Sequence, residues 1–308
     1  MKEIITTDNL TKQYGSFLAA GNISLSVGKG EIYGFLGLNG AGKTTTIRML
    51  LGMIRPTSGK AFINGKKVDP GNHDLWKSIG YLVEVPYSYP ELTVRDNLEM
   101  MRRLRCVPDI GSVDKIMDKL KLSSYKDRKV KNLSLGNAQR LGIAKALIHN
   151  PKILILDEPS NGLDPAGIVE IRELLCELAN NDGVTVFISS HILGEISRLA
   201  TRIGIIHQGR MILEVNANEL ERLRRKQLLI NVRDKAAART VLGKAGYSTG
   251  LDKEGNMVSS DEKAINQPEE VACLLVKAGL PPALIKVEVE DLETYFLRAI
   301  GMKEVQKI

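Results

Sequence analysis

The chain has 308 residues, enough for one large domain and a small one, each with its own core. It is 43% hydrophobic and 26% charged, as globular proteins are, and no apolar run approaches the ~18–20 residues needed to cross a bilayer. A formal charge of +7 permits anionic neighbours. Aromatics are only 5% of the chain, however, and none is interleaved with the basic clusters Arg102-Arg103-Leu104-Arg105 and Arg222-Leu223-Arg224-Arg225-Lys226, so no nucleic-acid partner is expected.

The first residues, Met1 to Asp8, lack the apolar core of a signal peptide, which predicts a cytosolic chain. Cys106, Cys176 and Cys273 are isolated and without metal-ligand spacing, which suits free thiols in a reducing compartment. Short β-type runs are expected at Glu3–Thr7 and Ile23–Val27. Tyr14, between them, could lay its ring on an adenine or simply pack.

Glu31–Leu36 reads as a buried strand, and 45–52 as a helix. Between them, Gly37-Leu38-Asn39-Gly40-Ala41-Gly42-Lys43-Thr44-Thr45 fits G-x-x-x-x-G-K-[ST]. Glycines let successive N–H groups turn onto phosphate oxygens, and the helix N-terminus adds positive potential. Lys43 would reach the β- and γ-phosphates, and the Thr44 hydroxyl would ligate Mg²⁺.

A strand ending in an Asn64-Gly65 turn follows, then a strand over 78–84 with Glu84 at its end. Ligands collect at the carboxyl ends of strands in open α/β sheets, so Glu84 is either near Mg²⁺ or an ordinary strand-end residue. Residues 91–125 are helix-rich and charged, with a break at Pro108 and Gly111. Ser134 can cap a helix running to Ile148, and Gly136 lets a phosphate approach its backbone.

Lys152–Leu156 has the fully apolar character of a central parallel strand and ends in Asp157-Glu158. Strand alternation turns these carboxylates apart, so one can serve Mg²⁺ and the other an attacking water. Asp164-Pro165 starts a helix to about Asn181, and His191 stands at the carboxyl end of strand 184–190. His73, His149 and His207 have no such placement. A hairpin turns at Gln208-Gly209.

A boundary near 216–226 precedes a tail of alternating strands and helices, including a hairpin at Asp252–Gly255, that reads as a small α+β unit with no cluster carrying chemistry.

In order and spacing, the stretches over about 1–215 resemble the nucleotide-binding subunit of an ABC transporter. The resemblance implies an α/β P-loop NTPase fold with an antiparallel β subdomain and a helical subdomain at about 86–150. The ATP-binding domain would span 1–220, and 221–308 would form a C-terminal accessory domain. It also implies an ATPase using ATP and Mg²⁺, with residues 37–45 on the phosphates and Tyr14 on the adenine. Asp157 would then serve Mg²⁺ and Glu158 would polarise the attacking water, with His191 at the γ-phosphate. Two copies would pair head to tail, Ser134 and Gly136 of one capping the ATP on Lys43 of the other, with Asp164 communicating between them. The pair would sit on the inner face of the membrane and drive a separate permease.

Three departures from the family pattern involve four positions. Leu135 and Asn137 replace a glycine and a glutamine of the signature, Glu84 replaces a glutamine expected to serve Mg²⁺ and the membrane partner, and Leu38 replaces a frequent proline. Glu84, the Leu135-Gly136 pair and the turn Leu163-Asp164-Pro165-Ala166-Gly167 are similar to the bacitracin- and lantibiotic-exporting subgroup. That implies export of, or resistance to, a peptide antibiotic. The alternatives are export of ions or drugs, or a non-transport role in translation or DNA repair. Only one phosphate loop and one signature occur, and Ser134 follows Lys43 by 91 residues, too few for an intervening coiled coil. No guanine-reading N-K-x-D segment is present.

Overall fold

A computed structural model describes residues 2–71, 73–84, 87–252 and 255–301, the side chains of 73 and 74 excepted. The chain divides into two compact units, Met1–Asn218 and Glu219–Ile308.

The first unit opens with β1 (Glu3–Tyr14), β2 (Phe17–Ile23) and β3 (Ser26–Gly28). The expected strand 23–27 is thus split. Asn9 takes a left-handed φ of 47°, and the pairing of β1 with β5 shifts register across it; β2 pairs with the second half of β1 and β3 with the first. Thr7 ties the junction: its hydroxyl donates to the Ile23 carbonyl and accepts from the Leu25 amide. Next come β4 (Ile32–Leu36), α1 (Lys43–Leu50), β5 (Ser58–Ile63) and β6 (Lys66–Lys67). β1, β2, β3, β5 and β6 make an antiparallel sheet. The left-handed Asn64 and Gly65 turn β5 into β6, as Asn-Gly hairpins do.

The chain continues through α2 (His73–Trp76), β7 (Ile79–Leu82), α3 (Val94–Leu104), α4 (Ser112–Lys119) and α5 (Leu135–Leu147). A Thr93–Asp96 capping box starts α3. Then come β8 (Ile153–Asp157), α6 (Pro165–Asn180), β9 (Thr185–Ser190), α7 (Leu193–Ile196), β10 (Arg202–His207) and β11 (Arg210–Asn216).

The second sheet has the order β11-β10-β4-β9-β8-β7, parallel except for β11. β4, β8 and β9 are buried at every residue, and apolar side chains fill β4 and all of β8 before Asp157, whereas β9 also buries the hydroxyls of Thr185, Ser189 and Ser190. Phe187 of β9 stacks on Tyr33 at 5.4 Å and meets Phe35 at 5.4 Å, locking β9 to β4. The strand order places the carboxyl ends of β4, β9 and β8 side by side, and the phosphate loop, His191 and the acidic pair all leave from those ends.

The second unit begins within α8 (Ala217–Leu223), followed by β12 (Lys226–Asn231), α9 (Lys235–Lys244), β13 (Gly250–Leu251) and β14 (Met257–Ser259). It ends with α10 (Glu262–Asn266), α11 (Pro268–Lys277), β15 (Leu284–Val289) and α12 (Leu292–Ala299). The antiparallel sheet β13-β14-β12-β15 packs Leu228, Ile230 and Met257 against Ala238, Leu242, Ala264, Val271 and Leu275 of α9–α11. Lys253 and Glu254 of the expected hairpin, and the side chain of His73, lie outside the described residues.

Candidate functional site

The phosphate loop is shaped by close backbone approaches. Gly42 has φ 108°, and a Cβ there would stand 2.3 Å from the Ala19 carbonyl; a Cβ on Gly37 would meet the Ile206 carbonyl at 2.6 Å. Only glycine fits both places. Gly42 offers no side-chain cap to α1, and the first turn holds no acidic residue, so the helix leaves its amides and positive end to an anion.

Lys43 is 5% exposed. Its ammonium donates to the carbonyls of Gly37 (2.6 Å) and Leu38 (3.2 Å) and stands 3.1 Å from Glu158 Oε1, an ion pair without hydrogen-bond geometry. Beside it lies a cavity of about 260 Å³ lined by Phe17, Ala19, Asn39, Gly40, Gly42, Lys43, Thr44, Thr45 and Glu158.

Asp157 and Glu158 do diverge. Asp157, 1% exposed, accepts from the Thr44 hydroxyl at Oδ2 (2.7 Å) and from the Ser189 hydroxyl at Oδ1 (2.5 Å). Glu158 has a left-handed φ of 49°, held by its amide donating to the Ser189 carbonyl (3.2 Å) and hydroxyl (3.1 Å). That turn aims its carboxylate at Lys43 and, 2.8 Å from Oε2, at His191 Nδ1. A carboxylate only accepts, so Nδ1 carries the proton and Nε2 is left for another group.

A divalent cation fits this donor set. Among the described residues Asp157 is buried with hydroxyl donors but no cationic partner, and Thr44 and Asp157 offer the hard oxygens that Mg²⁺ takes.

Ser134 caps α5 by accepting from the Asn137 amide. Gly136 leaves room for the next loop: a Cβ there would lie 3.1 Å from the Gly162 carbonyl. In that loop Asp164 accepts from the Gly167 amide and caps α6, with Pro165 in the first turn. Leu135, in the signature, is 61% exposed. Ser134, Gly136 and Asp164 do not line the cavity beside Lys43.

Tyr14 does not line it either. Its ring is half exposed beneath the Lys12 ammonium, and Phe17, its partner across the β1–β2 turn, lines the cavity instead. The two residues face each other across a two-residue turn at Gly15 and Ser16, a register that composition alone does not reveal.

Glu84 lies beyond the end of β7, in a left-handed conformation (φ 58°) that swings its carboxylate off the strand line. There it accepts from Arg48 Nη2 at 2.6 Å. The pair lines a groove with Tyr81, Tyr87, Met101, Arg105 and Lys145, where burial lowers the pKa of both Arg105 and Lys145. The basic clusters meet carboxylates close by in sequence: Arg102 and Arg103 pair with Glu99 on α3, and Arg224, just past the end of α8, with Glu221.

Residues 20–161 match the family model described as ABC transporter. The chain is 40% identical over 301 residues to the bacitracin transport ATP-binding protein BcrA of Bacillus licheniformis, covering 98% of each chain. It is 40% identical over 233 residues to the lantibiotic transport ATP-binding protein SrtF of Streptococcus pyogenes, covering 75% of this chain and all of that one. Among solved structures, a dimeric, post-hydrolysis ATP-binding cassette bound to ADP and Pi superposes with a TM-score of 0.65 at 26% identity, over 70% of this chain and 99% of the other.

Proposed function

Since the chain belongs to the ABC transporter family, as an ATP-binding and ATP-hydrolysing subunit, we propose that it powers export of, or resistance to, a peptide antibiotic of the bacitracin or lantibiotic type. The observation carrying this reading is that the likeness to the bacitracin transport protein runs through both compact units, not the ATPase unit alone.

In this reading two copies close head to tail on ATP. Lys43, the loop amides and the α1 N-terminus take the triphosphate, while Ser134 and Gly136 of the second copy cover it. Closure follows because ATP binds the closed pair more tightly than the open one. Thr44 and Asp157 would hold Mg²⁺, which would supply positive charge against the phosphates. Glu84, now paired with Arg48, would have to release that guanidinium to add a carboxylate oxygen. Glu158 accepts the proton of the attacking water, and His191 orients that carboxylate and reaches the γ-phosphate through Nε2. The driven partner is a separate permease, with this chain on the cytoplasmic face of its membrane.

The test is removal of the chain from its host. Susceptibility to bacitracin or a lantibiotic should rise and return on complementation with the parent but not with Glu158→Gln. Unchanged susceptibility to both, with altered sensitivity to ions or small drugs, would transfer the assignment to another export substrate.

A further inference from the structure

Ser189 has the most constrained hydroxyl at the site, and the family roles above leave it without a task. It is fully buried on β9, between Asp157 of β8 and Phe35 of β4. Its oxygen takes the Glu158 amide proton at 3.1 Å and gives its own proton to Asp157 Oδ1 at 2.5 Å. Thr44 gives its proton to the other oxygen, Oδ2.

We propose that Ser189 is a positioning residue for the metal: it holds Asp157 in the rotamer that turns the Thr44 hydroxyl hydrogen inward and leaves the Thr44 oxygen lone pairs to a divalent cation. A carboxylate has no hydrogen to give, so both hydroxyls must point their single hydrogens at it. With Oδ1 satisfied by an uncharged donor, the negative charge of Asp157 stays available to the cation. A lysine or arginine there would neutralise it, and an alanine would leave Oδ1 buried without a donor. The same hydroxyl ties down the Glu158 amide, so one side chain presets both members of the acidic pair. Outer partners of this kind typically set metal affinity by about 10- to 100-fold.

The inference rests on Asp157 and Thr44 serving Mg²⁺, and its test separates the two ideas. A fluorescent ATP analogue is titrated against the full chain, in a Glu158→Gln background that stops turnover, once with Mg²⁺ and once with EDTA. The parent should bind more tightly with Mg²⁺. Ser189→Ala should lose about 10- to 100-fold of that gain while its affinity in EDTA stays put, and Ser189→Thr, which restores a hydroxyl, should recover it. A merely structural role would weaken both titrations alike, and that result overturns the proposal. So does a Ser189→Ala variant that keeps the parental gain. If the parent itself shows no gain from Mg²⁺, the metal assignment fails and takes the proposal with it. Should Ser189→Ala not fold, Ser189→Cys, of similar size but a weaker donor, should show a partial loss of the gain; an undiminished gain is again decisive against the idea.

Discussion

His191 Nδ1 lies 2.8 Å from Glu158 Oε2, and the other oxygen of the same carboxylate lies 3.1 Å from Lys43 Nζ. Glu158 is therefore gripped from both sides, by a ring that fixes its direction and by the ammonium that ATP is proposed to claim. Phosphate arriving at Lys43 would compete for that ammonium and release one carboxylate oxygen to a water.

Glu158→Gln keeps the shape of the side chain and removes its basicity. Turnover should fall by roughly 10²- to 10⁴-fold, the usual contribution of a positioned base. ATP affinity should hold or rise, since one negative charge near the phosphates is gone. Phosphate release and nucleotide titration on the same preparation check both halves. Residual hydrolysis above about a tenth of the parent rate would remove Glu158 from the role of base.

Phe17, not Tyr14, lines the cavity beside the phosphate loop, so Phe17→Ala should weaken ATP binding more than Tyr14→Ala. Stacking a base on an aromatic ring is worth about 1–3 kcal/mol, so the expected loss at Phe17 is roughly 5- to 150-fold in affinity. Equal binding by the triphosphate moiety alone, measured with inorganic tripolyphosphate, would localise the loss to the base. A larger effect at Tyr14 would mean that its ring moves over the nucleotide on binding.

These cases mark what the sequence makes legible. The phosphate loop, the Asp157-Glu158 strand end and the Ser134 and Asp164 caps depend on neighbours in the chain, so spacing and strand periodicity reach them. The placement of β9 between β4 and β8 depends on residues far apart in sequence, and only that order brings the Ser189 hydroxyl to Asp157. Phe17 depends on hairpin register and Glu84 on a left-handed residue after a strand, neither of which a residue pattern encodes. In the tail, α10 is a five-residue helix, too short for helical periodicity to show.

Glu84→Gln tests the departure at that position. The Arg48–Glu84 pair is exposed on both sides, so losing it should change stability by no more than about 0.2–1 kcal/mol. Glutamine still offers a carbonyl oxygen, and ATP hydrolysis should persist near the parent rate. Thermal unfolding and a steady-state assay measure the two effects separately. Abolished hydrolysis with an unchanged melting temperature would show that the charge itself takes part.

His149 supplies the pH dependence. Its Nε2–H donates to the Ile79 carbonyl at 3.1 Å, while Nδ1 is buried with no partner among the described residues. Burial first, then the nearby Arg105 charge, lowers its pKa from 6.5 to about 4. Between those values the unfolded chain binds a proton that the folded chain refuses, so stability rises with pH across the window and falls as acid is added. The ring is only part-buried, and solvent screening reduces the full linkage to an effect on the order of 1–2 kcal/mol. Urea unfolding at pH 7, 6 and 5 should show a declining midpoint. His149→Gln, which cannot titrate, should flatten the decline. Holding the comparison above pH 5 keeps it clear of most carboxylates, whose usual pKa values lie near 4. A decline equally steep in His149→Gln would assign it to other groups.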